Sequence, residues 1–394
     1  MGCTYASAKR CSTVGISTRI DMPAYAYGIK RNPLFWQGNK IGKAYRNGTL
    51  VYQSYQPQWY QGTMPNMSLA REQYSAAAIP NANVVIVAGG ATNIPSGAVK
   101  TTEMYTEAGV RTTINDLGDK KFTFAGYGYG NYAFFGGGRE NSTSNYDSVD
   151  RYDGNGVRAT ASDLSQRLRS NQAAAAGGYV LFAGGYRNAW YGAYSNVDAY
   201  NQSGVRTSIT GLVSSTYEHA GASCDDYAIF GYGLSGSTYR LDISIYNASL
   251  VRTSTTGVQS RRLAAATQCG DGVIFAGGGV NAYYSPLRNT VEHVSKAGVV
   301  TSFPALTNTR IGMASGYLYN LAVLAGGEES SFSTPTGVKT IEAYNSTGVK
   351  VTTGRQLNTA RMLPYNGFAT LNNTLYIFGG NLMALTSVET ISYK

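Results

Sequence analysis

The chain has 394 residues, of which 43% are hydrophobic and only 14% charged, with 48 glycines and 32 tyrosines. A formal net charge of +10 would suit a polyanionic partner, yet the lysines and arginines form no basic run or stripe, so no nucleic-acid surface is indicated. No stretch approaches the roughly eighteen consecutive apolar residues of a membrane span, and the N-terminus lacks a signal peptide's apolar core, so no membrane insertion is expected.

Residues 1–56 differ in character from the rest of the chain. Glycine, proline and aromatics mix there, with Phe35 and Trp36 after Pro33, and Asn47-Gly48 between two apolar runs is a hairpin signal. A small N-terminal β module is therefore expected. The run Tyr45-Arg-Asn-Gly48-Thr-Leu50-Val51-Tyr52 resembles a short element of bacteriophage and prophage tail or virion proteins. That resemblance implies that residues 1–56 dock to other virion proteins.

From residue 57 onward the chain repeats. An apolar stretch ending in glycines recurs seven times, with first glycines read at Gly89, Gly136, Gly184, Gly231, Gly277, Gly326 and Gly379, in steps of 46 to 53 residues. A period near fifty is that of a four-stranded propeller blade. The first strand of each unit follows a leading arginine, as in Arg71, Arg169, Arg262, Arg310 and Arg361, and is rich in small residues, which suits strands converging on an axis. The second strand is the glycine stretch, apolar on both faces because neighbouring blades cover it. A third strand alternates, as in Val197-Asp-Ala-Tyr200 and Ile341-Glu-Ala-Tyr344, and a fourth runs from a turn glycine to a closing leucine, with Leu250 and Val258 in unit four.

The seventh unit stops after its third strand. Trp59 to Met67 has the span of the missing fourth, and pairing it with the C-terminal strands would remove an exposed edge. The fold expected is all-β: a seven-bladed propeller over residues 57–394, closed by an N-terminal strand and preceded by the module of residues 1–56. The glycine pair, the acidic-x-Tyr step and the leading arginine resemble the kelch-repeat family over residues 57–394, although the family's fourth-strand tryptophan appears only as Trp59. That resemblance implies fold and is silent on function.

Chemistry is hard to place. A galactose-oxidase-like copper centre needs imidazoles converging with tyrosines, whereas His219 and His293 fall on an innermost and a third strand of successive units. Cys3, Cys11, Cys224 and Cys269 match neither a disulfide framework nor a metal spacing, and Cys224 and Cys269 read as buried free thiols. Asp150 to Gly156 and Gly126-Tyr-Gly-Tyr-Gly130 read as turns. The acids Glu103, Asp150, Asp198, Glu292, Glu342 and Glu389, one per unit, read as architectural, each holding an arginine or a backbone amide at a blade junction. No catalytic residue, metal or cofactor is expected.

The loops between second and third strands vary in length and gather aromatic and polar residues: Arg187, Trp190, Tyr191 and Tyr194 in unit three, Tyr146 in unit two, Tyr239 in unit four, Tyr283 and Tyr284 in unit five, Phe332 in unit six. Such residues combine flat apolar area with polar handles, as recognition surfaces do. The expectation is a non-enzymatic virion protein that binds host surface glycan or protein through these loops in many copies per particle. The alternatives are a decoration subunit that touches only other virion proteins and the oxidase.

Overall fold

The computed structural model describes residues 57–394 apart from 189, 281–285, 330–336, 364–365 and 381–384, and before them only four short strands. Residues 1–58 and 59–394 form two compact units. In the first, Phe35–Trp36 pairs with Asn39–Lys40 and Lys43–Arg46 with Thr49–Gln53, both antiparallel. The second pair flanks Asn47-Gly48.

The larger unit consists of seven four-stranded antiparallel sheets. Blade 1 is Ser75–Ile79, Val84–Ala88, Thr102–Thr106 and Arg111–Thr113 from the axis outward. Blades 2 to 6 span residues 125–160, 172–209, 220–256, 265–303 and 314–351. Blade 7 takes Phe368–Leu371, Thr374–Phe378 and Val388–Tyr393 from the C-terminal side and its outer strand, Trp59–Met64, from the N-terminal side. The ladder runs from Val388 opposite Met64 to Tyr393 opposite Trp59, whose rings lie 4.6 Å apart. The expected closure is thus formed, by a strand that ends at Met64.

Burial follows the pattern that the sequence dictates. Second strands such as Val84–Ala88 are buried throughout because a blade covers each side. Seven apolar clusters among the described residues fill the seven junctions, for example Val85 and Val87 of blade 1 with Tyr376 and Phe378 of blade 7. Antiparallel order puts the first-to-second and third-to-fourth turns at one end of every blade. The second-to-third loops and the blade connections lie at the other, the loop face.

The strand alignment corrects four sequence readings. Gly126 to Gly130 is not a turn but largely the innermost strand of blade 2, Ala125–Tyr129, with only Gly130 beyond it. Glycine is required there by close approach: a Cβ on Gly128 would stand 1.5 Å from the Ala78 carbonyl oxygen. In blades 2 and 4 the left-handed doublet is Gly137-Gly138 and Tyr232-Gly233, one residue later than read. The leading cation belongs at Arg71, Lys121, Arg261, Arg310 and Arg361, so Arg169 and Arg262 sit one residue past the slot. Val258 is exposed, and Gly257 takes the closing position by donating to the Leu241 carbonyl as the closing leucines do to theirs.

Each slot cation is buried against its blade's acid: Arg71 on Glu103 at 2.9 Å, Lys121 on Asp150 at 3.0 Å, Arg361 on Glu389 at 2.5 Å, and likewise Arg261 on Glu292 and Arg310 on Glu342. The acids also accept backbone N–H groups of the preceding connection, as Asp150 does from Gly118 and Glu389 from Asn358. Burial opposes the charge on Asp150, but Lys121, the Gly118 N–H and Arg158 outweigh it and hold the carboxyl below the usual carboxylate range. Blade 3 has Leu168 in the slot, and Asp198 binds Arg206 and the Ser165 N–H instead. Blade 4 replaces both charges: Thr216 donates to the Tyr232 carbonyl and Ser244 accepts the Val213 N–H.

Two residues past the slot, Gln73, Thr123, Ser170, Glu218, Leu263 and Gly312 all hold φ between 50 and 59 degrees. Each from Thr123 to Gly312 donates its N–H to the carbonyl of its predecessor at 2.8–3.3 Å, and Leu363 continues the chain to Gly312. Ala76 bonded to the Asn366 carbonyl joins blade 7 back to blade 1. A loop of backbone hydrogen bonds encircles the axis on the loop face.

Cys224 and Cys269 end the innermost strands of blades 4 and 5 as buried, unpaired thiols, and burial pushes them up to about 11 and about 12. These thiols are therefore protonated and inert at neutral pH.

Candidate functional site on the loop face

Blade 3 carries the longest hairpin among the described residues. Its second and third strands, Tyr179–Tyr186 and Ala193–Tyr200, run eight residues where those of blade 1 run five. The tip is fixed by hydrogen bonds. Arg187 N–H donates to the Gly192 carbonyl at 3.1 Å and Gly192 N–H to the Asn188 carbonyl at 2.8 Å. Asn188 Oδ1 accepts from the N–H groups of Trp190 and Tyr191 at 3.0 and 3.1 Å, and the Asn145 side chain of blade 2 donates to the Arg187 carbonyl. On this braced tip Trp190 is 94% exposed and Tyr191 59% exposed, and the Arg187 guanidinium lies 4.2 Å from the Tyr191 ring centre.

A second stack begins one residue earlier in the chain, at Tyr186. Arg169 and Tyr186 exchange both backbone hydrogen bonds, which sets the Arg169 guanidinium 5.1 Å from the Tyr186 ring. Tyr186 in turn packs on Tyr217 of blade 4 at 4.8 Å. Blade 2 repeats the device, with Arg139 bridged to Phe122 and 4.6 Å from its ring. Cation and ring face each other because the bridge makes them direct cross-strand neighbours.

Of the residues singled out from the sequence, Arg187, Trp190 and Tyr191 come together at the tip. Tyr194 lies opposite Gly185 in the hairpin, half-buried. Tyr239 pairs with Leu234 in a two-residue ribbon of blade 4. Tyr146 donates to Glu140 Oε2 at 3.1 Å, and burial with that carboxylate pushes its hydroxyl up to about 12. Tyr283, Tyr284 and Phe332 lie outside the described residues. Arg169, Tyr186 and Tyr217 belong to the patch but went unrecognised as site residues. Their signal is positional: each directly follows the buried slot or the glycine doublet. Burial pushes the Tyr217 hydroxyl up to about 12, with Glu218 adding to it, so at neutral pH the hydroxyl keeps its proton.

The histidines are used elsewhere. His219 is buried beside Phe230 in blade 4, and His293 stacks on Phe303 in blade 5 at 5.1 Å with Nε2 2.9 Å from the Cys269 carbonyl oxygen. Among the described residues no three His, Cys, Asp or Glu side chains converge as a metal-holding group.

No protein-family model and no curated protein matches this sequence. Among solved structures, one titled "Structure of YjhT" is similar, with a TM-score of 0.55 at 13% identity, over 72% of this chain and 97% of that one. At that identity the likeness concerns fold alone, and it agrees with the strand order: residues 59–394 are a seven-bladed β-propeller whose described loops project furthest at blade 3.

Proposed function

We propose that this protein is a non-enzymatic binding propeller of a phage or prophage particle, anchored to other virion proteins through residues 1–56 and recognising a host surface glycan or protein with its loop face. The observation that carries the binding reading is Trp190, almost fully exposed on a hairpin tip that four backbone N–H groups and a neighbouring blade hold in place. A large apolar ring held in water by a preorganised loop gains nothing for folding and lowers the ordering cost of binding. An aromatic face covering about 100 Å² of a sugar contributes roughly 2.5 kcal/mol before association costs, so single contacts are weak. Display of many copies multiplies them. The virion setting is supported by the resemblance of Tyr45 to Tyr52 to tail-protein elements and by the separate compactness of residues 1–58.

The test is adsorption of labelled protein to candidate host cells. Trp190→Ala is expected to reduce adsorption about tenfold or more with an unchanged melting temperature. Undiminished adsorption of this variant would remove the hairpin tip from the site, and adsorption by no strain at all would favour a decoration subunit.

A further inference from the structure

We infer that the loop face of blades 3 and 4 binds an anionic glycan, a sugar that carries a carboxylate or phosphate. This rests on the reading that the face is a recognition surface, and it names the ligand.

Most slot and outer-strand cations of the propeller meet a carboxylate. Arg111 lies on Glu103, Arg158 on Asp150, Arg206 on Asp198 and Lys350 on Glu342, each at 2.7–3.1 Å, in addition to the buried slot pairs. Even Arg262, the counterpart of Arg169 in blade 5, sits on Glu218 at 2.9 Å. Among the described residues Arg252 and Arg151 lack an ion pair but donate to the Gly211 and Gln202 carbonyls, Arg151 while lying over Tyr132. Arg169 and Arg187 differ from both: among the described residues neither guanidinium has an ion pair or a hydrogen-bond partner, and each lies over a tyrosine ring.

The departure has a structural origin. In blade 3 the buried slot holds Leu168, and the cation stands one residue later, at the surface. A guanidinium stacked on a ring keeps its in-plane N–H donors outward, in the fork that matches a carboxylate or phosphate. One fork lies over Tyr191 at the tip that carries Trp190, and the other over Tyr186, which packs on Tyr217, so the hairpin offers ring faces for a sugar and guanidinium donors for its acidic group. A neutral sugar would leave both cations without a counter-charge, and a bare polyanion would leave the rings unused.

Equilibrium binding of the full chain to three polymers tests this: polygalacturonic acid, phosphorylated dextran and unmodified dextran, with polyglutamate as a polyanion lacking sugar. Tighter binding of either acidic polysaccharide than of dextran, by about tenfold and declining with added salt, is expected, and whichever acid binds identifies the group. Arg169→Gln with Arg187→Gln should reduce the acidic polymers to the level of dextran, and Arg→Lys at both positions should retain part of the gain. Trp190→Ala should weaken acidic polysaccharide and dextran alike. Equal binding of dextran and both acidic polymers, indifference to the Arg→Gln pair, or polyglutamate bound as tightly and insensitive to Trp190→Ala would each overturn the inference. So would binding of none of the polymers. Cell adsorption with Trp190→Ala judges the wider reading separately, because it does not depend on the ligand's charge.

Discussion

Tyr232 stands at φ 68 where the six other blades place the first glycine of their doublet. Its ring fills the space a closing leucine fills elsewhere, and Gly257 makes the room: a Cβ there would meet the Tyr232 ring at 2.5 Å. In blade 3 the same two positions are Gly184 and Leu212, with the leucine methyl 3.1 Å from where a Cβ on the glycine would be. Blade 4 has exchanged the large and small partners. Tyr232→Gly would leave a void and lose the hydroxyl bond to Glu292, for an expected loss of about 3–5 kcal/mol in denaturant unfolding. Adding Gly257→Leu should restore about half of that. The apolar stretch announced blade 4 in the sequence, but the exchange hid its register, because Gly231-Tyr-Gly233 reads as a doublet until both partners are seen in one space.

His219 is a second residue with a measurable signature. Burial lowers its pKa to about 3, with the Ala183 carbonyl acting weakly the other way. The folded state thus refuses a proton that the unfolded chain accepts below about pH 6.5. The stability tied to neutral His219 is full above that pH and is lost as pH falls toward 3. Blade 3 has Asn171 at the equivalent place, donating to the Gly136 carbonyl. His219→Asn should therefore narrow the stability difference between pH 7 and pH 4.5 by about 2–3 kcal/mol in denaturant titrations.

Among the elements, six of the seven blade connections are clamped by one acid each, and the six acids were legible because their spacing is that of the third strand. The cations were less so. Leu168-Arg169 has its arginine one residue past the slot and Arg261-Arg262 has one in the slot and one past it, and nothing local distinguishes the two positions. Glu389→Ala would leave Arg361 buried without its partner and is expected to cost about 3–5 kcal/mol. Blade 4 shows that the slot also works uncharged, with Thr216 and Ser244. Arg361→Thr together with Glu389→Ser should accordingly cost less than Glu389→Ala alone, and urea titration of the two variants decides it. The recognition hairpin was legible as composition only. Its aromatic content marked it, but the outward step of Arg169 and the Tyr186–Tyr217 contact depend on which residues bridge across strands.

At the scale of the ring, closure was readable from a missing fourth strand and a spare segment of matching length. The hydrogen-bonded loop around the axis was not. Gln73, Thr123, Ser170, Glu218 and Leu263 have no local preference for left-handed backbone, and only the meeting of seven blades imposes it. Each of those residues carries a small strain that its neighbours' carbonyls offset.

The seam in blade 7 also leaves the order of the blades along the chain open to rearrangement. Tyr393 and Trp59 face each other across an antiparallel ladder, a separation that a hairpin-sized linker spans. Residues 59–394 joined there and reopened between Ser346 and Thr347, both exposed, would be a circular permutant in which every strand keeps its partners. Its melting temperature should stay within a few degrees of the parent's, whereas a drop of tens of degrees would mean that the native seam does more than complete a sheet.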